Sequence, residues 1–125
     1  MRLGSGLLLA MIFLGISGNV VGETAGKQTQ APYLLEFYGK ECHWCDVMHE
    51  RVAKLEKEEG VKVEKYEVWH NPENAKKMEQ YNKRPNGGIY CGGVPYFVNT
   101  KTGNRVCGAM EYEDLKKWAG IENKK

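Results

Sequence analysis

From residue 32 onward the chain switches between two apolar periods. Residues 33–38 (YLLEFY) are apolar at Leu34, Leu35 and Phe37 over too short a run for a helical repeat, which predicts a strand with Glu36 inside it. Residues 42–59 gather Val47, Met48, Val52 and Leu55 on one helical face and Glu50, Lys54, Lys57 and Glu58 on the other, and Gly60 offers the stop. Residues 61–69 (VKVEKYEVW) alternate strictly, a second strand in which Lys65 follows Val61 and Val63 on one side. Asn71-Pro72 is a helix start, with Asn as cap and Pro at the first helical position, and the helix runs through Ala75, Met78 and Tyr81 to about residue 82. Residues 84–93 (RPNGGIYCGG) are too rich in turn formers for a regular element. A hairpin follows, with strands at 96–99 and 105–108 around a turn at Gly103. A last helix at 111–119 turns Leu115, Trp118 and Ala119 inward and stops at Gly120. The order is βαβαββα. The first two strands flank a helix and are therefore parallel, the last two form a hairpin, and the sheet is mixed: an α/β fold.

The region before residue 32 has a different character. Met1-Arg2 carries the only charges before Glu23, residues 7–16 (LLLAMIFLGI) are an apolar core, and Val20-Val21-Gly22 places small residues at a cleavage position. This pattern is that of a secretory signal peptide. The alternative is an uncleaved membrane anchor over residues 3–21, a stretch without charge just long enough to span. Either way the remainder is exported, into a bacterial periplasm, a secretory pathway or an organelle lumen. The expected organisation is a signal peptide or anchor at 1–22, a small polar linker at 23–31 and one domain at 32–125.

The chain has 18 basic and 16 acidic residues, a net charge of +2, too balanced to suggest a nucleic-acid partner. Four cysteines in 125 residues fit an oxidising compartment once the chain is exported.

Two of them carry the candidate chemistry. Cys42 and Cys45 open the first predicted helix directly after a strand. Three residues apart on one turn, their sulfurs are close enough to bridge. The first also lies by unpaired backbone N–H groups and the positive end of the helix dipole, which favour a thiolate. Such a pair after a strand is a redox-motif candidate. The competing readings are a structural disulfide or half of a zinc site with His43, His49 and His70 as further ligands. A closed zinc site normally shows a second tight pair, whereas Cys91 and Cys107 are 16 apart. For Cys91 and Cys107 three readings stand: a second, structural disulfide, a redox relay beside the first pair, or two free thiols.

Leu35-Glu36-Phe37-Tyr38 followed by Cys-x-x-Cys is similar to the active-site strand of protein disulfide isomerase domains, and residues 32–121 as a whole resemble the thioredoxin-like superfamily in its minimal form. Lys65, followed by Asn71-Pro72, falls where thioredoxins carry a lysine facing the buried carboxylate. Val94-Pro95 matches the cis-proline loop, and Cys107-Gly108-Ala109 falls on the strand end that approaches the active site. The chain departs from the family in its Cys-His-Trp-Cys sequence, in Glu41 before the first cysteine, in the missing N-terminal βα unit and in the length of the 84–93 loop.

The resemblance implies a thiol–disulfide oxidoreductase acting on protein disulfides, with the Cys42–Cys45 pair as its redox centre and no other cofactor. Cys42 attacks and Cys45 resolves. Glu36 exchanges the proton of Cys45, with Lys65 holding it in place. Val94 and Pro95 present a backbone edge to an extended substrate segment, and His43 and Trp44 border it. Protonated His43 also favours the Cys42 thiolate, unless its ring points away. The expected partners are protein thiols or disulfides and an upstream redox donor or acceptor protein. Two other readings fit the residues: a glutathione-dependent, glutaredoxin-like enzyme, and a redox-inactive module that binds peptides.

Overall fold

The structure, a computed structural model, describes residues 32–121. The signal peptide or anchor expected at 1–22 and the linker at 23–31 lie outside the described residues. Seven elements follow in the order β1 (Leu34–Tyr38), α1 (His43–Glu59), β2 (Val63–Glu67), α2 (Pro72–Asn82), β3 (Tyr96–Asn99), β4 (Arg105–Cys107) and α3 (Tyr112–Trp118). The strands form one mixed sheet in the order β2-β1-β3-β4. β1 runs parallel to β2 and antiparallel to β3, and β3 and β4 form the hairpin. This is a small α/β fold of minimal thioredoxin-like architecture. Among the described residues no helix is long and apolar enough to cross a membrane.

Alternation along β1 divides the core. Leu34 joins Met48, Val52 and Leu55 of α1, Phe97 of β3, and Leu115 and Trp118 of α3. Leu35 and Phe37 point the other way, to Tyr96, Val98 and Cys91, with Tyr66, Met78 and Tyr81 packed around them. By the same alternation Glu36 lies on the Leu34 side, facing α1. As part of a central strand it is fully enclosed.

The element ends have identifiable causes. Gly60 closes α1 in the left-handed conformation (φ 70°), its N–H bonded to the Glu56 carbonyl. The Asn71 side chain accepts from the N–H groups of Glu73 and Asn74, capping α2 as its sequence indicated. β2 is shorter than its alternating pattern. The carboxylate of Glu67 accepts from the N–H groups of Trp69 and His70, at 3.2 and 2.8 Å, and turns the chain out of the strand. The 84–93 loop is tied down by Asn82, which is buried. Its Oδ1 accepts from the N–H groups of Tyr90 and Cys91 and its Nδ2 donates to the Cys91 carbonyl. Asn99 plays the same part in the hairpin, accepting from Lys101 and Thr102 and donating to the Trp118 carbonyl.

Candidate redox site

Cys42 is the N-cap of α1, extended at φ −92° and ψ 114°, and its sulfur accepts from the Cys45 N–H at 3.1 Å. Its own N–H donates to the Gly39 carbonyl, closing a turn between β1 and the helix. Cys42 and Cys45 are joined in a disulfide, with Cα atoms 5.2 Å apart. Cys42 retains 7% exposure and Cys45 none, so an attacking group reaches the pair through Cys42.

The turn is clamped from the far side of the sheet edge. Glu67 accepts from the Lys40 N–H at 2.9 Å, and Glu41 holds His70 Nε2 through both carboxylate oxygens, at 2.7 and 2.9 Å. That contact raises the His70 pKa, first through the hydrogen bond and then through the charge of Glu41. The Trp69 indole lies over Gly39 so closely that any side chain at residue 39 would overlap it.

The second wall comes from the other end of the sheet. The Val94–Pro95 peptide is cis, and the Val94 carbonyl oxygen lies 3.9 Å from Cys42 Sγ. Gly108 donates from its N–H to the Pro95 carbonyl, at a φ of 100° that a side chain would resist. Trp44, Val94, Pro95, Gly108, Ala109 and Met110 line an open groove of about 360 Å³ beside the pair. Trp44 is 59% exposed, and His43 packs edge-on against it with ring centroids 5.1 Å apart. Cys91 and Cys107 are also bridged, stapling the loop before Val94 to the end of β4. All four cysteines are therefore in disulfides. Among the described residues no group of three or more His, Cys, Asp and Glu side chains is arranged to hold a metal.

Glu36 is enclosed in β1, the strand that leads into the pair. Among the described residues neither carboxyl oxygen has a hydrogen-bond partner. Burial pushes its pKa up to about 8, against an opposing pull from the charge of Lys65 and a smaller push from Glu56. Lys65 is the register partner of Glu36 on β2, as its alignment implied. It does not hold the carboxyl. β2 is an edge strand, and the Lys65 ammonium swings outward to Glu56 of α1 at 3.4 Å and to the Val63 carbonyl at 3.3 Å. The group beside Glu36 is instead His49, whose Nε2 lies 3.4 Å from Oε2. Sequence reading placed His49 only among zinc candidates. The signal that could have found it is its spacing: His49 is four residues beyond Cys45, on the helical face that also carries Val52.

A scan against protein-family models matches none, and a search of the curated proteins finds no match. The class is thus defined by fold and site: a small α/β protein of thioredoxin-like architecture whose first helix opens on a Cys-x-x-Cys disulfide. That arrangement suggests redox activity.

Proposed function

We propose that this chain is an exported thiol–disulfide oxidoreductase acting on protein disulfides. The observation that carries the reading is the Cys42–Cys45 disulfide at the N-cap of α1, reachable only through Cys42 and set 3.9 Å from a backbone carbonyl of the groove wall. Two disulfides in so short a chain also fit an oxidising compartment.

In the reducing direction the Cys42 thiolate attacks a substrate disulfide. A Cys42–substrate bond forms, the substrate S–S bond breaks and one substrate thiolate leaves. Cys45 then attacks the Cys42 sulfur, the Cys42–Cys45 bond forms and the second substrate thiolate leaves. Two electrons have passed to the substrate, and a dithiol of an upstream redox protein returns the pair to its reduced form. Extended backbone along Val94-Pro95 pairs like an added strand, with Trp44 and His43 at the rim.

Glu36 handles the proton. With its pKa at about 8, the carboxyl of the bridged protein is mostly protonated at neutral pH. It therefore holds a proton for Cys45 when a substrate dithiol attacks Cys42 and Cys45 departs as a thiolate. In the opposite direction the carboxylate takes the Cys45 proton, as microscopic reversibility requires. The positive charge of Lys65 acts on Glu36 at a distance, by favouring its ionised form.

The test is turnover of insulin disulfides with dithiothreitol as reductant. Wild-type protein is expected to turn over and Cys42→Ser to be inactive. Turnover by wild type only in the presence of glutathione would place the chain with glutaredoxin-like enzymes, and its absence under both conditions would leave a peptide-binding module. A reduction potential near about −270 mV would mark a reductase, and one between about −180 and −120 mV an oxidase or isomerase.

A further inference from the structure

A fully enclosed acid needs a route for its proton. The core on the face of the sheet that Glu36 shares with Leu34 also holds Met48 and Val52, none of which can carry one. The Lys65 ammonium is committed to Glu56 and the Val63 carbonyl. Among the described residues, one titratable side chain lies against the carboxyl, that of His49. His49 places Nε2 in the buried space 3.4 Å from Glu36, with no hydrogen-bond partner among the described residues, while 30% of its side chain stays exposed. The ring packs at right angles to that of Tyr38 from β1, with centroids 4.7 Å apart. It also sits one helical turn beyond Cys45, so a single face of α1 carries both the resolving sulfur and the imidazole.

We propose that His49 is the proton conduit between Glu36 and solvent, a positioning residue that acts on Cys45 through the carboxyl. The inference rests on the proposed thiol–disulfide chemistry. For Cys45 to attack, Glu36 first passes its proton to His49 Nε2 and the imidazole yields it to water at its exposed side. The carboxylate then takes the S–H proton as the Cys42–Cys45 bond forms, which leaves Glu36 protonated in the bridged protein. In the other direction His49 takes a proton from water and returns it to the carboxylate left after Cys45 has been protonated. No electrons move in this relay, and each group ends as it began.

The charges around the ring suit the role. In the bridged protein burial, then the charge of Lys65 from β2, hold the His49 pKa below its ordinary value, while Asp46 of α1 opposes them. The imidazole beside a protonated Glu36 is therefore neutral. Once Glu36 is a carboxylate, the adjacent negative charge favours the imidazolium, and the pair keeps one proton between them. Glu56 lies on the far side of Lys65 and offsets part of its charge.

The experiment is single-turnover oxidation of the reduced full-length protein by the chromogenic aryl disulfide dithionitrobenzoate. The first release of thionitrobenzoate reports attack by Cys42. The second, identified as the phase missing from Cys45→Ser, reports resolution. His49→Ala and His49→Gln are expected to leave the first phase unchanged and to slow the second about tenfold at neutral pH, a modest share of what proton transfer contributes in enzymes. Free imidazole should restore the second phase of His49→Ala in proportion to its neutral form and do nothing for Glu36→Gln. The double variant Glu36→Gln/His49→Ala should be no slower than Glu36→Gln alone. A second phase at the wild-type rate in both His49 variants overturns the proposal, as does a double variant slowed by the product of the two single effects. A wild-type protein with no second phase overturns the underlying function as well, which separates the two failures.

Discussion

Replacing Glu36 with glutamine turns the burial of one carboxyl into a measurable pH dependence. The folded chain holds this group up at about 8, against 4.5 for the free carboxyl. Well below pH 4.5 it is protonated in both states and adds no pH dependence. Above that point the unfolded chain releases the proton while the folded chain keeps it. Stability therefore falls as pH rises, by about 1.4 kcal/mol per pH unit, until the folded group itself ionises near pH 8. Over the whole interval the loss is about 5 kcal/mol. Two histidines titrate across the same range. His49, held low mainly by burial, makes stability fall as pH drops below 6.5, opposing Glu36 in the acid half. His70, raised by its bond to Glu41 and by the charge of Glu41, contributes stability below 6.5 that disappears as pH rises through its folded pKa, in the same direction as Glu36. Subtracting the Glu36→Gln profile removes the His70 share. From about pH 7 upward His49 is mostly neutral in both states, so the change in that difference from about pH 7 to about pH 9 belongs mainly to Glu36 and amounts to about 1.4 kcal/mol. Urea unfolding of the disulfide-bridged protein at closely spaced pH values measures it. The variant should match wild type at acid pH and exceed it at alkaline pH. A difference that does not vary with pH would refute the reasoning, because Glu36 would then titrate as a solvated carboxyl and hold no proton for Cys45 at neutrality.

Three further outcomes follow from the same structure. Lys65→Met removes the charge that favours ionised Glu36, so the alkaline end of the difference profile should move to higher pH; an unmoved profile would show that Lys65 exerts no field on the carboxyl. Cys91→Ala/Cys107→Ala opens a loop of 16 residues and should cost about 3 kcal/mol in urea unfolding, with the transition remaining cooperative. Gly39→Ala pushes a methyl group into the Trp69 indole and should cost about 1–3 kcal/mol by thermal melting, a loss that Trp69→Ala in the same chain should largely reverse.

Much of this molecule is local, and what is local could be read from the sequence. Element order, the Asn71 and Gly60 caps and the two-sided β1 depend on neighbours within one or two turns of chain, so periodicity and cap chemistry suffice. The Cys42–Cys45 bridge is equally local, since residues three apart on a helix start meet whatever the rest of the chain does. Contacts across the sequence were decided by packing. The family resemblance sets Lys65 facing Glu36 but does not say that an edge strand lets a long side chain turn outward to Glu56. In the sequence His49 is one histidine among three; its spacing puts it on the Cys45 face of α1, but the approach of that face to the buried carboxyl of β1 is set by packing. Cys91 and Cys107 allowed three readings until the loop was folded back by Asn82 and the hairpin register set Cys107 opposite Tyr96. The reactive pair is written in adjacent residues. The environment that sets its proton chemistry exists only once strands and helix have closed around Glu36, because burial is a property of the assembled fold and not of any one stretch of it.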